Sequence, residues 1–169
     1  MKAGISIALL GALMLAAPFA ARSQAYVGAA VGQSKFEVEN DAAAKVFGGY
    51  QFSPSFAIEL GAHALGSTTV GNRSADFSAI DLSYFGTLIL SKGVSVHGRI
   101  GVYRADITAR GNDVGPTYGL GVGYALTRNA ALRAEWQRFA KLGPGSEPEM
   151  NIDVLYLGAS YRFGESGRP

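Results

Sequence analysis

The chain has 169 residues, 48% of them hydrophobic and only 17% charged, with 23 Gly, eight Tyr and nine Phe. Cysteine is absent, which excludes a disulfide or thiolate–metal scaffold; high apolar content at low net charge excludes a disordered chain, and Gly without a three-residue period excludes collagen. Lys2 and Arg22 account for the formal charge of +2, so beyond residue 25 the chain is neutral and no nucleic-acid partner is expected.

Residues 1–25 have the form of a cleaved signal peptide. Lys2 supplies the positive start, and Ile5 to Ala17 is an apolar run broken only by Ser6. Ser23-Gln24-Ala25 then offers small residues at the positions a signal peptidase accepts. The run is too short for a membrane anchor and ends at Pro18. Cleavage after Ala25 leaves one expected domain, 26–169.

Beyond this point the dominant signal is a period of two, which marks strands with two different faces. Eight segments carry it: Tyr26–Phe36, Ala43–Phe52, Phe56–Leu65, Phe77–Leu90, Val94–Ala105, Thr117–Leu126, Ala130–Phe139 and Asn151–Phe163. Most are longer than the usual strand of about five or six residues. They suit the 9–11 or so tilted residues that cross a bilayer. In the third segment Phe56, Ile58, Leu60, Ala62 and Ala64 oppose Ala57, Glu59, Gly61 and His63. In the fifth, Val94, Val96, Ile100 and Val102 oppose Ser95, His97, Arg99 and Gly101. The sixth sets Tyr118, Leu120, Val122 and Tyr124 against Gly119, Gly121 and Gly123.

A soluble barrel would turn its apolar face inward and a charged face to water. Here the second face is poor in Lys and Glu and rich in Gly, a poor solvent surface but a good fit to a crowded centre. The orientation is therefore inverted: apolar toward lipid, polar and small inside. In lipid such strands must close on themselves, because no edge N–H or C=O can go unpaired. The expected fold is all-β, a closed antiparallel eight-stranded up-and-down transmembrane β-barrel whose interior is just filled by side chains.

The connections alternate. Gln51–Ser55, Ser91–Gly93 and Thr127–Asn129 are tight turns; Glu37–Ala42, Gly66–Asp76, Asp106–Pro116 and Ala140–Met150 are longer and polar. Outer-membrane barrels have short periplasmic turns and longer external loops, so both termini are expected in the periplasm. Tyr50, Phe52, Phe56, Tyr84, Tyr124, Trp136, Tyr161 and Phe163 lie near strand ends, where interfacial aromatic belts form.

Together these stretches resemble the small OmpA/OmpX-like outer-membrane barrels, the porin-family or outer-membrane β-barrel domain proteins of Gram-negative bacteria. The resemblance rests on Tyr26-Val27-Gly28, Phe47–Phe52 with Ala57–Gly61, Tyr118–Tyr124, Leu132–Trp136 and Leu155–Phe163, and so covers most of the chain after the signal. Gly158, Tyr161 and Phe163 match the Gly-x-x-aromatic-x-aromatic signal read by the barrel-assembly machinery. The strands end near 163, and a short tail, 164–169, follows. The resemblance implies outer-membrane lipid, lipopolysaccharide, the assembly machinery and periplasmic chaperones as partners. No peptidoglycan-binding domain of the kind some members carry is expected.

The lumen-facing candidates are Lys45, Glu59, His63, Asp81, Arg99, Arg133, Glu135 and Arg162, with His97 beside them. Opposite charges in a narrow tube are expected to pair, because a stranded buried charge costs several kcal/mol. The set is read as a structural network filling the barrel, with a gate or ion path as the alternative. Small barrels of this type carry internal ion pairs, which the resemblance extends to Glu59, Arg99 and Glu135. Some outer-membrane barrels modify lipids using His with Ser near the membrane rim, but no such local motif is present. Two His are too few for a metal site. No catalytic residue, cofactor or metal is expected. External charges at Glu37, Glu39, Asp41, Arg73, Asp76, Asp106, Arg110, Asp113, Lys141, Glu147 and Glu149 give a polar rim whose ligand the sequence does not name. The first functional reading is a membrane-stabilising scaffold displaying external loops. A narrow porin-like channel for ions or small solutes comes second, and a lipid-modifying enzyme third.

Overall fold

The computed structural model describes residues 24–35, 40–70, 73–107, 111–142 and 150–163. Most of the signal segment, the tail 164–169, and the rim charges Glu37, Glu39, Arg110, Glu147 and Glu149 lie outside them. Eight strands follow one another: β1 (Gln24–Lys35), β2 (Asn40–Ser53), β3 (Phe56–Val70), β4 (Arg73–Ser91), β5 (Val94–Ile107), β6 (Gly111–Ala125), β7 (Ala130–Leu142) and β8 (Met150–Arg162). Every neighbouring pair is antiparallel, and β1 pairs with β8 to close the barrel. Closure leaves no sheet edge, which is the condition for β-structure in lipid.

The strands run farther than the alternation of apolar residues suggests. Gly66–Asp76, expected as a loop, is mostly ladder: Gly66 pairs with Phe77 and Val70 with Arg73. Likewise β6 begins at Gly111, not Thr117, and Asp106 pairs with Asn112. Hydrogen-bonded pairing needs only backbone, whereas the hydropathy signal needs a lipid face. Where the hairpins rise past the apolar band, pairing continues and the signal fades. The contrast between the two ends is therefore one of hairpin reach more than of loop length. At the opposite end Pro54-Ser55 and Lys92-Gly93 turn in two residues, and Gly93 takes a φ of 88°.

At its start, β1 includes Gln24 and Ala25, which pair with Gln51 and Tyr50. Pairing with β8 begins at Tyr26, opposite Arg162. A chain cut after Ala25 would keep the register pairs from Tyr26 onward but lose the Ala25 carbonyl, which accepts from the Phe163 N–H at 2.8 Å.

Side-chain parity follows the sequence closely. Leu60, Leu82, Ile100, Val122 and Leu157 point outward and are exposed, while Glu59, Asp81, Ser83 and Arg99 on the alternate positions are buried. The glycines serve close approach. A Cβ at Gly121 would collide with the His97 ring and the Ala134 carbonyl, and one at Gly101 with the Leu82 carbonyl and Ser83. Of the outward aromatics, Phe52 and Phe56 flank Tyr84 at centroid distances of 6.1 and 5.5 Å. Tyr161 meets Phe163 edge-on at 5.4 Å. These rings form a collar around the tight-turn end. Trp136 stands apart, against Tyr118 at 6.1 Å and near Arg138.

Candidate functional site: the barrel lumen

Inward-facing residues of all eight strands meet along the axis and form three levels. The level nearest the long hairpins is apolar, contrary to the expectation of a polar, small-residue interior throughout. Leu65, Phe139, Ile152 and Val154 have 0% exposure, and Phe77, Ala79, Tyr103 and Ala105 pack with them. Tyr103 sits edge-on to Phe139 at 5.3 Å and donates to the Ala140 carbonyl at 2.8 Å. Leu65 enters this level at a register shift between Ala64 and Gly66, where Gly66 takes a φ of 91°.

The middle level is ionic. Arg99, on β5, stands at its centre with its side chain fully buried. Its Nη1 lies 3.1 Å from Glu59 Oε1 and 2.8 Å from Glu135 Oε1, and its Nη2 lies 2.5 Å from Asp81 Oδ2. Nη2 also donates to Ser83 Oγ at 2.9 Å, and Ser83 in turn donates to Asp81. Lys45 Nζ reaches Glu59 at 3.2 Å and Glu135 at 3.1 Å. Arg133 reaches the far oxygens of the same two carboxylates at 2.8 and 3.0 Å. Its guanidinium carbon lies 4.5 Å from the centroids of both Phe47 and Phe85. Rings on either side of a guanidinium hold it in place and exclude water. Tyr26 Oη donates to Glu59 at 3.0 Å. His63 Nε2 lies 2.5 Å from Asp81 Oδ1, and its Nδ1 lies 2.9 Å from Tyr156 Oη.

Six of the sequence candidates, Lys45, Glu59, Asp81, Arg99, Arg133 and Glu135, thus converge. They comprise three carboxylates and three fixed cations, so the level is neutral. His63 joins through Asp81. His97 stacks on Phe85 at 4.7 Å, with its Nε2 3.4 Å from Glu135 and no hydrogen-bond partner. Arg162 shares the inward face but lies near the tight-turn end, outside this network. Sequence reasoning missed Tyr26, Phe47, Phe85 and Tyr156 as second partners, and the apolar level altogether. Their inward parity could have flagged them: Ile152, Val154 and Tyr156 keep step with Gly158. Of the terminal motif, Gly158 faces inward against Ala30, while Tyr161 and Phe163 point outward beside β1 and β7.

Comparison with known proteins places this geometry. Residues 5–163 match the family model for the outer membrane protein beta-barrel domain. Outer membrane protein A of Escherichia coli O157:H7 is 29% identical over 188 residues, covering 95% of this chain and 54% of that protein. That of Klebsiella pneumoniae is 30% identical over 145 residues, covering 72% and 41%. The chain therefore spans about half the length of the curated relatives it matches. Among solved structures, neisserial surface protein A superposes with a TM-score of 0.62 at 16% identity, covering 83% of this chain and 97% of that one. The N-terminal β-barrel domain of Pseudomonas aeruginosa OprF gives 0.59 at 14%, covering 84% and 100%. These two likenesses are of fold.

Proposed function

The chain belongs to the outer membrane protein beta-barrel domain family, a family of bacterial outer-membrane barrels, and we propose that within it this chain is a sealed membrane scaffold, not a channel. The observation that carries the reading is that the apolar and ionic levels of the lumen are filled. The fully buried Leu65, Phe139, Ile152 and Val154 sit above a charge-balanced network in which Arg99 ties three carboxylates together. An ion crossing this path would have to enter an apolar layer and then separate paired charges, each a step of several kcal/mol. Lys45, Glu59, Asp81, Arg99, Arg133 and Glu135 act here as structural residues that set the barrel's cross-section.

In this account residues 1–25 direct export and are removed, and 26–169 form the barrel domain. The tight turns and both termini face the periplasm, and the long hairpins rise from the cell surface. Periplasmic chaperones carry the unfolded chain to the barrel-assembly machinery, which reads Gly158, Tyr161 and Phe163. Outer-membrane lipid and lipopolysaccharide cover the apolar wall, and the hairpin tips present a polar rim to surface ligands. The likeness to outer membrane protein A supports an outer-membrane role of this kind.

Outer-membrane fractionation of the native host, paired with a liposome-swelling assay on the refolded protein, tests the proposal. The protein should partition with the outer membrane and leave small sugars excluded. Rapid sugar entry into protein-loaded liposomes, but not empty ones, would refute the sealed scaffold.

A further inference from the structure

The third level of the lumen, at the tight-turn end, is not filled. A cavity of about 420 Å³ opens there beneath Arg133. Among the described residues its wall carries Arg128, Arg133 and Arg162 and no aspartate or glutamate; Gln51, Thr87 and Ser160 add neutral polar groups. Arg133 is committed to Glu59 and Glu135. Lys45, Arg99 and Arg133 already match Glu59, Asp81 and Glu135, so the ionic level does not use the charge of Arg162. Its Nε is buried with no hydrogen-bond partner, and among the described residues its side chain forms no ion pair. Pairing with Tyr26 at the barrel seam, and bonds of its N–H and carbonyl to Asn129 in the neighbouring turn, explain the backbone of Arg162 but not its side chain. Leaving a buried donor unsatisfied is costly, and a guanidinium fork matches the oxygens of a phosphate group. The volume falls in the range of small-molecule sites.

We propose that this vestibule binds a phosphate ester of about the size of glycerol phosphate, held by Arg162 with Arg128 at the rim. The collar of Phe52, Phe56, Tyr84, Tyr161 and Phe163 surrounds the same end. Such rings favour the headgroup level of a bilayer, so the mouth opens beside lipid headgroups as well as to the aqueous phase. The ester comes from one of these two sources.

Calorimetric titration of the refolded barrel with sn-glycerol 3-phosphate, in zwitterionic detergent at low ionic strength, tests the site. Saturable one-site binding is expected. R162Q should weaken it about tenfold or more through loss of a charge-assisted fork. S160D, which sets a carboxylate on the cavity wall, should abolish it even if R162Q fails to fold. R138Q, on the outer wall, should leave it unchanged. In nanodiscs, displacement of the ester by phosphatidylglycerol but not phosphatidylcholine assigns the site to a headgroup, and retention in both assigns it to a soluble ester. No saturable binding to the folded wild type, or undiminished binding by folded R162Q or S160D, would overturn the proposal.

Discussion

Replacing Arg99 with Met removes the hub of the ionic level while roughly keeping its volume. The three carboxylates within 3.1 Å of the guanidinium then face only Lys45 and Arg133. Asp81 loses most, because among the described residues Arg99 is its only ion-paired fixed cation; His63 and Ser83 also bond to it. With one partner removed from a buried pair, the expected cost is roughly 3–5 kcal/mol. At about 1.4 kcal/mol per decade, that is two to four orders of magnitude in the folding equilibrium. The double variant R99M/E59Q restores neutrality, leaving Asp81 and Glu135 against Lys45 and Arg133. It should recover part of the loss, despite carrying two substitutions. Urea unfolding from liposomes, followed by the fluorescence of the single Trp and checked by heat-modifiable gel mobility, measures both. An Arg99→Met protein as stable as wild type, or a double variant worse than either single one, would refute the network as a mutually dependent unit.

Leu82→Arg puts a charge on the lipid wall and should destabilise the barrel by roughly 2–4 kcal/mol if it lies near the bilayer midplane; the same unfolding assay should find Leu82→Phe close to neutral. Gly121→Ala drives a methyl against the His97 ring and the Ala134 carbonyl, and should cost about 1–3 kcal/mol as overpacking does. A harmless Gly121→Ala would show that the glycine face is not needed for lumen packing. Because the chain has no cysteine, single introduced thiols report topology cleanly. A membrane-impermeant maleimide on intact cells should label N112C and miss K92C, and the reverse pattern would invert the orientation.

Legibility in the sequence followed the physics of each signal. The lipid-facing side of β3, β5 and β6 was readable because Leu60, Ile100 and Val122 recur at every second residue or close to it, with Gly or charge between. The outer ends of the strands were not, since Ser67, Thr68 and Thr69 can sit in a ladder without an apolar partner face. Parity assigns a residue to the lumen but not to a depth. Arg162 has the same inward parity as the ionic residues, yet its position near the end of β8 sets it outside their reach. Depth also hid the apolar level: Ile152 and Val154 lie inside, but in a short window their alternation with Asp153 and Leu155 marks neither face as lipid or lumen. The pairing of Arg99 on β5 with acids on β3, β4 and β7 depends on register across as many as two strand positions to either side, which only the closed barrel supplies.

The central claim is that the lumen is sealed, and single-channel recording of the refolded protein in a planar bilayer tests it most directly. Wild type should give no stable conducting state at moderate voltage, because the apolar layer of Leu65, Phe139, Ile152 and Val154 blocks the path independently of the ion pairs. Arg99→Met should therefore remain closed unless a second substitution such as Phe139→Ala also thins that layer. Large, long-lived wild-type openings would contradict the account and make the chain a channel.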